Sequence, residues 1–69
     1  MQYYTVFVNG QAFNCLPKMC LKDFLIYLDF NINLIAVEYN QEILVNSHFD
    51  SIFLQAQDRI EVVTIVGGG

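Results

Sequence analysis

Leu21-Lys22-Asp23-Phe24-Leu25-Ile26-Tyr27-Leu28 is the stretch of this chain that reads as a helix. Leu21, Phe24, Leu25 and Leu28 recur at i, i+3, i+4 and i+7, so they form one apolar stripe. Lys22, Asp23 and Asp29 fall off that stripe. The spacing predicts a helix at about residues 20–30. A helix with a single apolar stripe must lay it against another layer, and everything around it alternates like strands.

Toward the N-terminus, residues 2–8 are β-branched and aromatic, and residues 11–16 run back as a second strand. Between them Asn9-Gly10 supplies the type I′ turn, whose two central positions both need positive φ. The pleat then sends Tyr4, Val6 and Val8 to the core, joined by Phe13 and Cys15, with Tyr3, Thr5 and Phe7 on the opposite face. Pro17 ends this hairpin. Cys20 stands where Ser, Thr or Asp would normally cap the helix, so its start is weakly specified. Asn31 and Asn33 are the expected left-handed residues at its end.

Toward the C-terminus, residues 34–39 read as a third strand, with Ile35, Val37 and Tyr39 on one face. Asn40-Gln41 turns the chain into a short strand at 42–45. Residues 46–58 are polar, interrupted by Ile52-Phe53-Leu54, for which one helical turn closing the core is expected. A final strand spans 59–66, with Ile60, Val62 and Thr64 inward and Glu61, Val63 and Ile65 outward. Three glycines, Gly67, Gly68 and Gly69, follow.

The order ββ-α-ββ-β, with one helix on a mixed sheet, is an α+β plan: the β-grasp or ubiquitin-like fold, with four to five strands. Residues 1–66 form the expected domain and 67–69 a flexible glycine tail. The helix covers one face only. The other would carry Tyr3, Phe7, Ala12, Val63 and Ile65, and a contiguous apolar patch of this kind marks an interaction site. Phe7, Val63 and Ile65 are the expected partner-binding patch, beside the strand that leads into the tail.

Sixty-nine residues allow one domain. Its hydrophobic share of 55% offsets the small core available at this length. The formal net charge is −4, and Lys18, Lys22 and Arg59 form no cluster, which argues against nucleic acid. No apolar run approaches a membrane span, and no targeting segment is recognisable. Two cysteines do not make a disulfide framework. An intracellular protein with reduced thiols is expected, cytoplasmic or in the plastid stroma, since the Asn, Ile, Phe and Tyr usage fits an AT-rich genome.

No side chain carries obvious chemistry. His48 lies in a polar loop with no nucleophile or orienting group beside it. Cys15 alternates into the core, and Cys20 at a helix start could favour a thiolate, but Cys-x4-Cys lacks the second pair of ligands that a structural zinc site needs. The carboxylates of Asp23, Asp29, Glu38, Glu42, Asp50, Asp58 and Glu61 are scattered, with a solvated surface as the default and a turn position for Asp58. The glycines open no helix and so make no phosphate loop. The chain is expected to bind no cofactor or metal and to catalyse nothing.

That leaves the carboxylate of Gly69, with Val66, Gly67 and Gly68 thin enough to thread a partner's channel. A carboxylate is ionised and has no leaving group. A partner using ATP and Mg²⁺ would have to convert it to an acyl-adenylate, from which a sulfur nucleophile displaces AMP to leave a thiocarboxylate.

The segments Val8-Asn9-Gly10, Leu21-Lys22-Asp23-Phe24-Leu25, Ile35-Ala36-Val37-Glu38-Tyr39-Asn40 and Asp58-Arg59-Ile60-Glu61-Val62-Val63-Thr64-Ile65-Val66-Gly67-Gly68-Gly69 resemble the ThiS family, the ubiquitin-like sulfur carriers of thiamine biosynthesis. The resemblance implies adenylation of Gly69 by a ThiF-type adenylyltransferase, sulfur from a donor such as a cysteine desulfurase, and delivery to thiazole synthase. The chain departs from the family at Val45-Asn46, where Pro-Arg is usual, at Gln57, where Gly is usual, and at Cys20, where Thr is common. A small subunit of molybdopterin synthase, a ubiquitin-like modifier and a plain β-grasp binding module are the competing readings.

Overall fold

The computed structural model describes residues 2–65. Its elements are β1 (Tyr4–Val8), β2 (Gln11–Cys15), α1 (Leu21–Tyr27), β3 (Ile35–Tyr39), β4 (Glu42–Leu44), a 3-10 helix (Asn46–Ser51) and β5 (Arg59–Thr64). The strands form one sheet in the order β2-β1-β5-β3-β4. β5 lies in the middle, parallel to β1 and antiparallel to β3. The strand order and the mixed sheet are those of the β-grasp plan expected from the sequence.

Both hairpin turns obey the same rule. Asn9 and Gly10 have φ of 51° and 81°, and Val8 pairs with Gln11 across them. Asn40 and Gln41 have φ of 49° and 73°, and Tyr39 pairs with Glu42. Two-residue loops with positive φ throughout match the right-handed twist of the strands. Asn9 has a second task. β1 pairs with β5 only as far as Val8 opposite Ile60, and the Asn9 side-chain oxygen then accepts the Val62 N–H at 2.7 Å. That bond replaces a ladder contact that β1 no longer supplies.

Leu21, Phe24 and Leu25 of α1 are buried, and Leu28 packs partly against the core. Each full burial contributes about 2 kcal/mol. They meet Val6, Val8, Cys15, Ile35, Val37, Ile60 and Val62 from the sheet, as the alternation predicted. Phe13 meets Phe24 edge to face, with ring centroids 6.4 Å apart.

The helix is shorter than expected. It ends with Asp29 at φ 68°, not at Asn31 or Asn33. The Asp29 N–H donates to Ile26 O at 2.9 Å and Phe30 N–H to Leu25 O at 3.0 Å. That is the Schellman pattern, and Phe30 supplies its apolar contact with the core. At the other end the Cys20 sulfur accepts the Asp23 N–H at 3.5 Å, a weak cap. A tertiary bridge compensates: Leu21 N–H donates to Ile52 O at 2.8 Å, and Leu54 N–H to Met19 O at 2.9 Å.

This bridge corrects the expected helical turn at 52–54. The turn lies earlier, at Asn46–Ser51, where Phe49 enters the core. Phe53 is instead paired in extended form with Cys20, its side chain exposed, and Leu54 is fully buried. Thr64 is also corrected. It has the inward parity of Ile60 and Val62 but is exposed, because β5 has run past the end of β1.

Candidate functional site

The face of the sheet away from α1 is built by parity. Thr5 and Phe7 of β1, Ala12 and Asn14 of β2, Arg59, Glu61 and Val63 of β5, Ala36 and Glu38 of β3 and Ile43 of β4 all share it. One half is closed by its own side chains. The Arg59 guanidinium lies 5.1 Å from the Phe7 ring centroid, and Thr5 donates to the Asn14 side-chain oxygen at 3.3 Å. Phe7 is consequently half-buried.

The other half is bare. Val63 is 64% exposed, Ile43 77% and Ile65 52%. Ala36, Val37, Glu38, Ile43, Glu61 and Val63 line a shallow hollow there. Val63 lies four residues beyond Arg59, about 13 Å along β5 from the position opposite Phe7. The structure thus groups Val63 with Ile43 and Ala36, leaves Ile65 exposed just beyond β5, and sets Phe7 apart beneath Arg59. Tyr3 stands farther back still, lining a separate hollow with Cys15, Leu16, Met19, Phe24 and Tyr27. Ala36 is on the face expected from the alternation of the third strand, whereas Ile43 was missed in the sequence, although its strand parity marks it. Ile65 keeps its N–H bonded to Leu34 O at 2.6 Å, which holds the chain against the start of β3. Val66, Gly67, Gly68 and Gly69, expected to thread a partner and to be modified, lie outside the described residues.

At the opposite end of β5 stands Asp58, and it corrects the surface reading. It is only 6% exposed. Its carboxylate accepts hydrogen bonds from the Tyr39 hydroxyl, from the Asn40 side-chain amide at 3.1 Å and from the Gln55 N–H at 2.7 Å. Asn40 completes the joint by accepting the Arg59 N–H at 2.8 Å through its side-chain oxygen. The Asp58 backbone carbonyl accepts the Phe7 N–H at 2.8 Å. One residue therefore ties the entry of β5 to β3, to the β3–β4 turn and to β1. Burial first, and then Asp58, push the Tyr39 phenol well above its ordinary pKa. Among the described residues no buried side-chain nitrogen or oxygen lacks a partner.

The remaining candidates stay apart. Cys15 is buried, and burial, followed by the Asp58 charge, raises its pKa, so it rests as a thiol. Cys20 is half-buried, and His48 is exposed on the 3-10 helix. Among the described residues no three of His, Cys, Asp and Glu gather where they could hold a metal, and no helix is long and apolar enough to cross a membrane.

A family model described as the ThiS family matches residues 6–69. The protein ycf40 of Pyropia yezoensis is 48% identical over 62 residues, covering 90% of this chain and 87% of that one. A thiazole synthase of Magnetococcus marinus is 33% identical over 64 residues, which are 93% of this chain but 20% of that protein. Among solved structures, the thiamine biosynthesis protein (ThiS) of Geobacter metallireducens superposes with a TM-score of 0.80 at 25% identity, over 94% of this chain and 99% of that one.

Proposed function

The chain belongs to the ThiS family, and on that premise we propose that it carries sulfur as a thiocarboxylate on Gly69. At the coarser level it is a sulfur carrier of thiamine biosynthesis, a small carrier protein with the ubiquitin-like β-grasp fold. The observation that carries the finer reading is the extent of the family match. It runs through β5 and on to Gly69, so the glycine run is part of the shared pattern.

In this reading a ThiF-type adenylyltransferase, using ATP and Mg²⁺, joins the Gly69 carboxylate to AMP and releases pyrophosphate. A sulfur nucleophile, supplied by a donor such as a cysteine desulfurase, attacks the carbonyl carbon. The bond to AMP breaks; where the nucleophile is a persulfide, a second thiol then takes the donor's sulfur into a disulfide and leaves the outer sulfur on the chain as the thiocarboxylate. The absence of a side chain on Gly69 leaves that carbon open to attack. Val66, Gly67 and Gly68 lie in the enzyme's channel, while Val63, Ile65 and the neighbouring apolar residues hold the folded body against it, with Phe7 at the edge of the contact. Thiazole synthase then takes the sulfur. A stretch like this chain forms part of a longer protein named thiazole synthase, which supports that enzyme as the acceptor. The ycf40 relatives, from plastid genomes, support a plastid location.

Incubating the chain with the adenylyltransferase, ATP, Mg²⁺ and a sulfur donor tests the proposal by intact mass. One sulfur-for-oxygen exchange at the C-terminal glycine is expected. A chain of unchanged mass, with the enzyme active on another carrier, contradicts it.

A further inference from the structure

On the open face, facing side chains mostly pair without electrostatic conflict. Thr5 is opposite Asn14, Phe7 is opposite Ala12 and Arg59, and Ala36 is opposite Val63. Glu38 opposite Glu61 breaks the pattern. Two carboxylates directly across a strand pair repel each other and destabilise the sheet. They are two of only seven acidic residues in the chain. The row Glu61–Glu38–Ile43 crosses β5, β3 and β4, and Val63–Ala36 lies beside it on the tail side. Together they line the hollow of about 200 Å³ next to the exit of β5.

We propose that this hollow is where the adenylyltransferase that receives the tail docks, placing an arginine between the Glu38 and Glu61 carboxylates and an apolar side chain against Ile43 and Val63. The inference rests on the carrier reading and adds the chemistry of the partner's surface. A guanidinium presents a rigid fork of donors that two adjacent carboxylates can share. Its charge offsets the repulsion between two carboxylates that face each other across the strand pair. The net charge of −4 draws a basic surface from a distance. A second copy of this chain would bring two more carboxylates to the same place, and is disfavoured there.

The test uses Glu38→Gln, Glu61→Gln and the double variant, with Glu42→Gln as a control of equal charge. Glu42 lies opposite Tyr39, on the other side of β4. Melting of the free chain and binding to the adenylyltransferase are measured at low and high salt. Each hollow variant is expected to melt about 1–5 °C higher, because a repulsion is gone. Each should bind about tenfold more weakly at low salt, with a flatter salt dependence. Glu42→Gln should bind like the unaltered chain. Unchanged affinity and salt slope in the double variant overturn the inference, as does an equal loss in Glu42→Gln, a lowered melting temperature or a dimer that depends on Glu38 and Glu61. The intact-mass experiment separates the two readings. Sulfur gained without dependence on Glu38 and Glu61 leaves the carrier and removes the dock. Binding that depends on them without sulfur gain does the reverse.

Discussion

The two ends of β5 are built on opposite principles. At its entry, Asp58 is buried and fully hydrogen-bonded, joining the strand to Tyr39, Asn40 and the loop at Gln55. At its exit, Val63 and Ile65 stand exposed, Glu38 faces Glu61, and β1 has already ended. A satisfied buried charge specifies one geometry, and its loss leaves several polar groups stranded. An exposed apolar end with facing like charges does nothing for the free chain. The contrast separates a fixed base from an uncovered surface, the one the proposed docking would cover, with the three glycines following the second in sequence.

The base can be broken by Asp58→Ala. The substitution strands the Tyr39 hydroxyl, the Asn40 amide and the Gln55 N–H, so a loss of about 3 kcal/mol is expected in chemical denaturation. Tyr39→Phe removes a single donor and leaves the Gln55 N–H on the same carboxylate oxygen. A loss of about 1.5 kcal/mol is expected there. If both variants cost less than about 0.5 kcal/mol, the entry of β5 is not the fixed end.

Alkaline pH probes the same joint more gently. Burial, and then the hydrogen bond to Asp58 and its charge, raise the Tyr39 pKa above the ordinary 10.0. The folded chain keeps that proton where the unfolded chain releases it. The contribution is therefore complete below pH 10, and it is lost as the pH rises beyond that value. The melting temperature should fall more steeply above pH 10 in the unaltered chain than in Tyr39→Phe, and parallel curves would contradict the assignment.

The exit gives the smallest change in stability. Val63→Ser should shift it by no more than about 0.5 kcal/mol, as for an exposed position. It should nevertheless slow sulfur loading in the reconstituted system, and unchanged loading would remove Val63 from the docking surface.

Much of this contrast was legible in the sequence. The parity of Ile60, Val62, Ile35 and Val37 placed the core, and Asn9-Gly10 placed the first turn, because both are local consequences of pleat and φ. Other features depend on distant residues. The helix ends at Asp29 because Phe30 finds the core, a contact that no local signal at Asn31 or Asn33 could report. Residues 52–54 are extended because the start of α1, poorly capped by Cys20, needs partners for its backbone. Asp58 read as a turn residue because its partners, Tyr39 and Asn40, lie 19 and 18 residues away. Its signal was that Asn40 and Asp58 close and open two of the segments shared with the family. Phe7 was expected to share a patch with Val63. Strand register separates them, since β1 meets β5 only at Phe7 and Val8.

The most direct test of the account is a single turnover. The thiocarboxylate form of the chain is mixed with thiazole synthase and its other substrates, and the chain's mass is followed against the thiazole formed. The account predicts one sulfur leaving the C-terminal glycine for each thiazole made, with the body of the chain unchanged. Thiazole appearing while the chain keeps its sulfur, or forming equally well from a chain with both final glycines replaced by alanine, would contradict it.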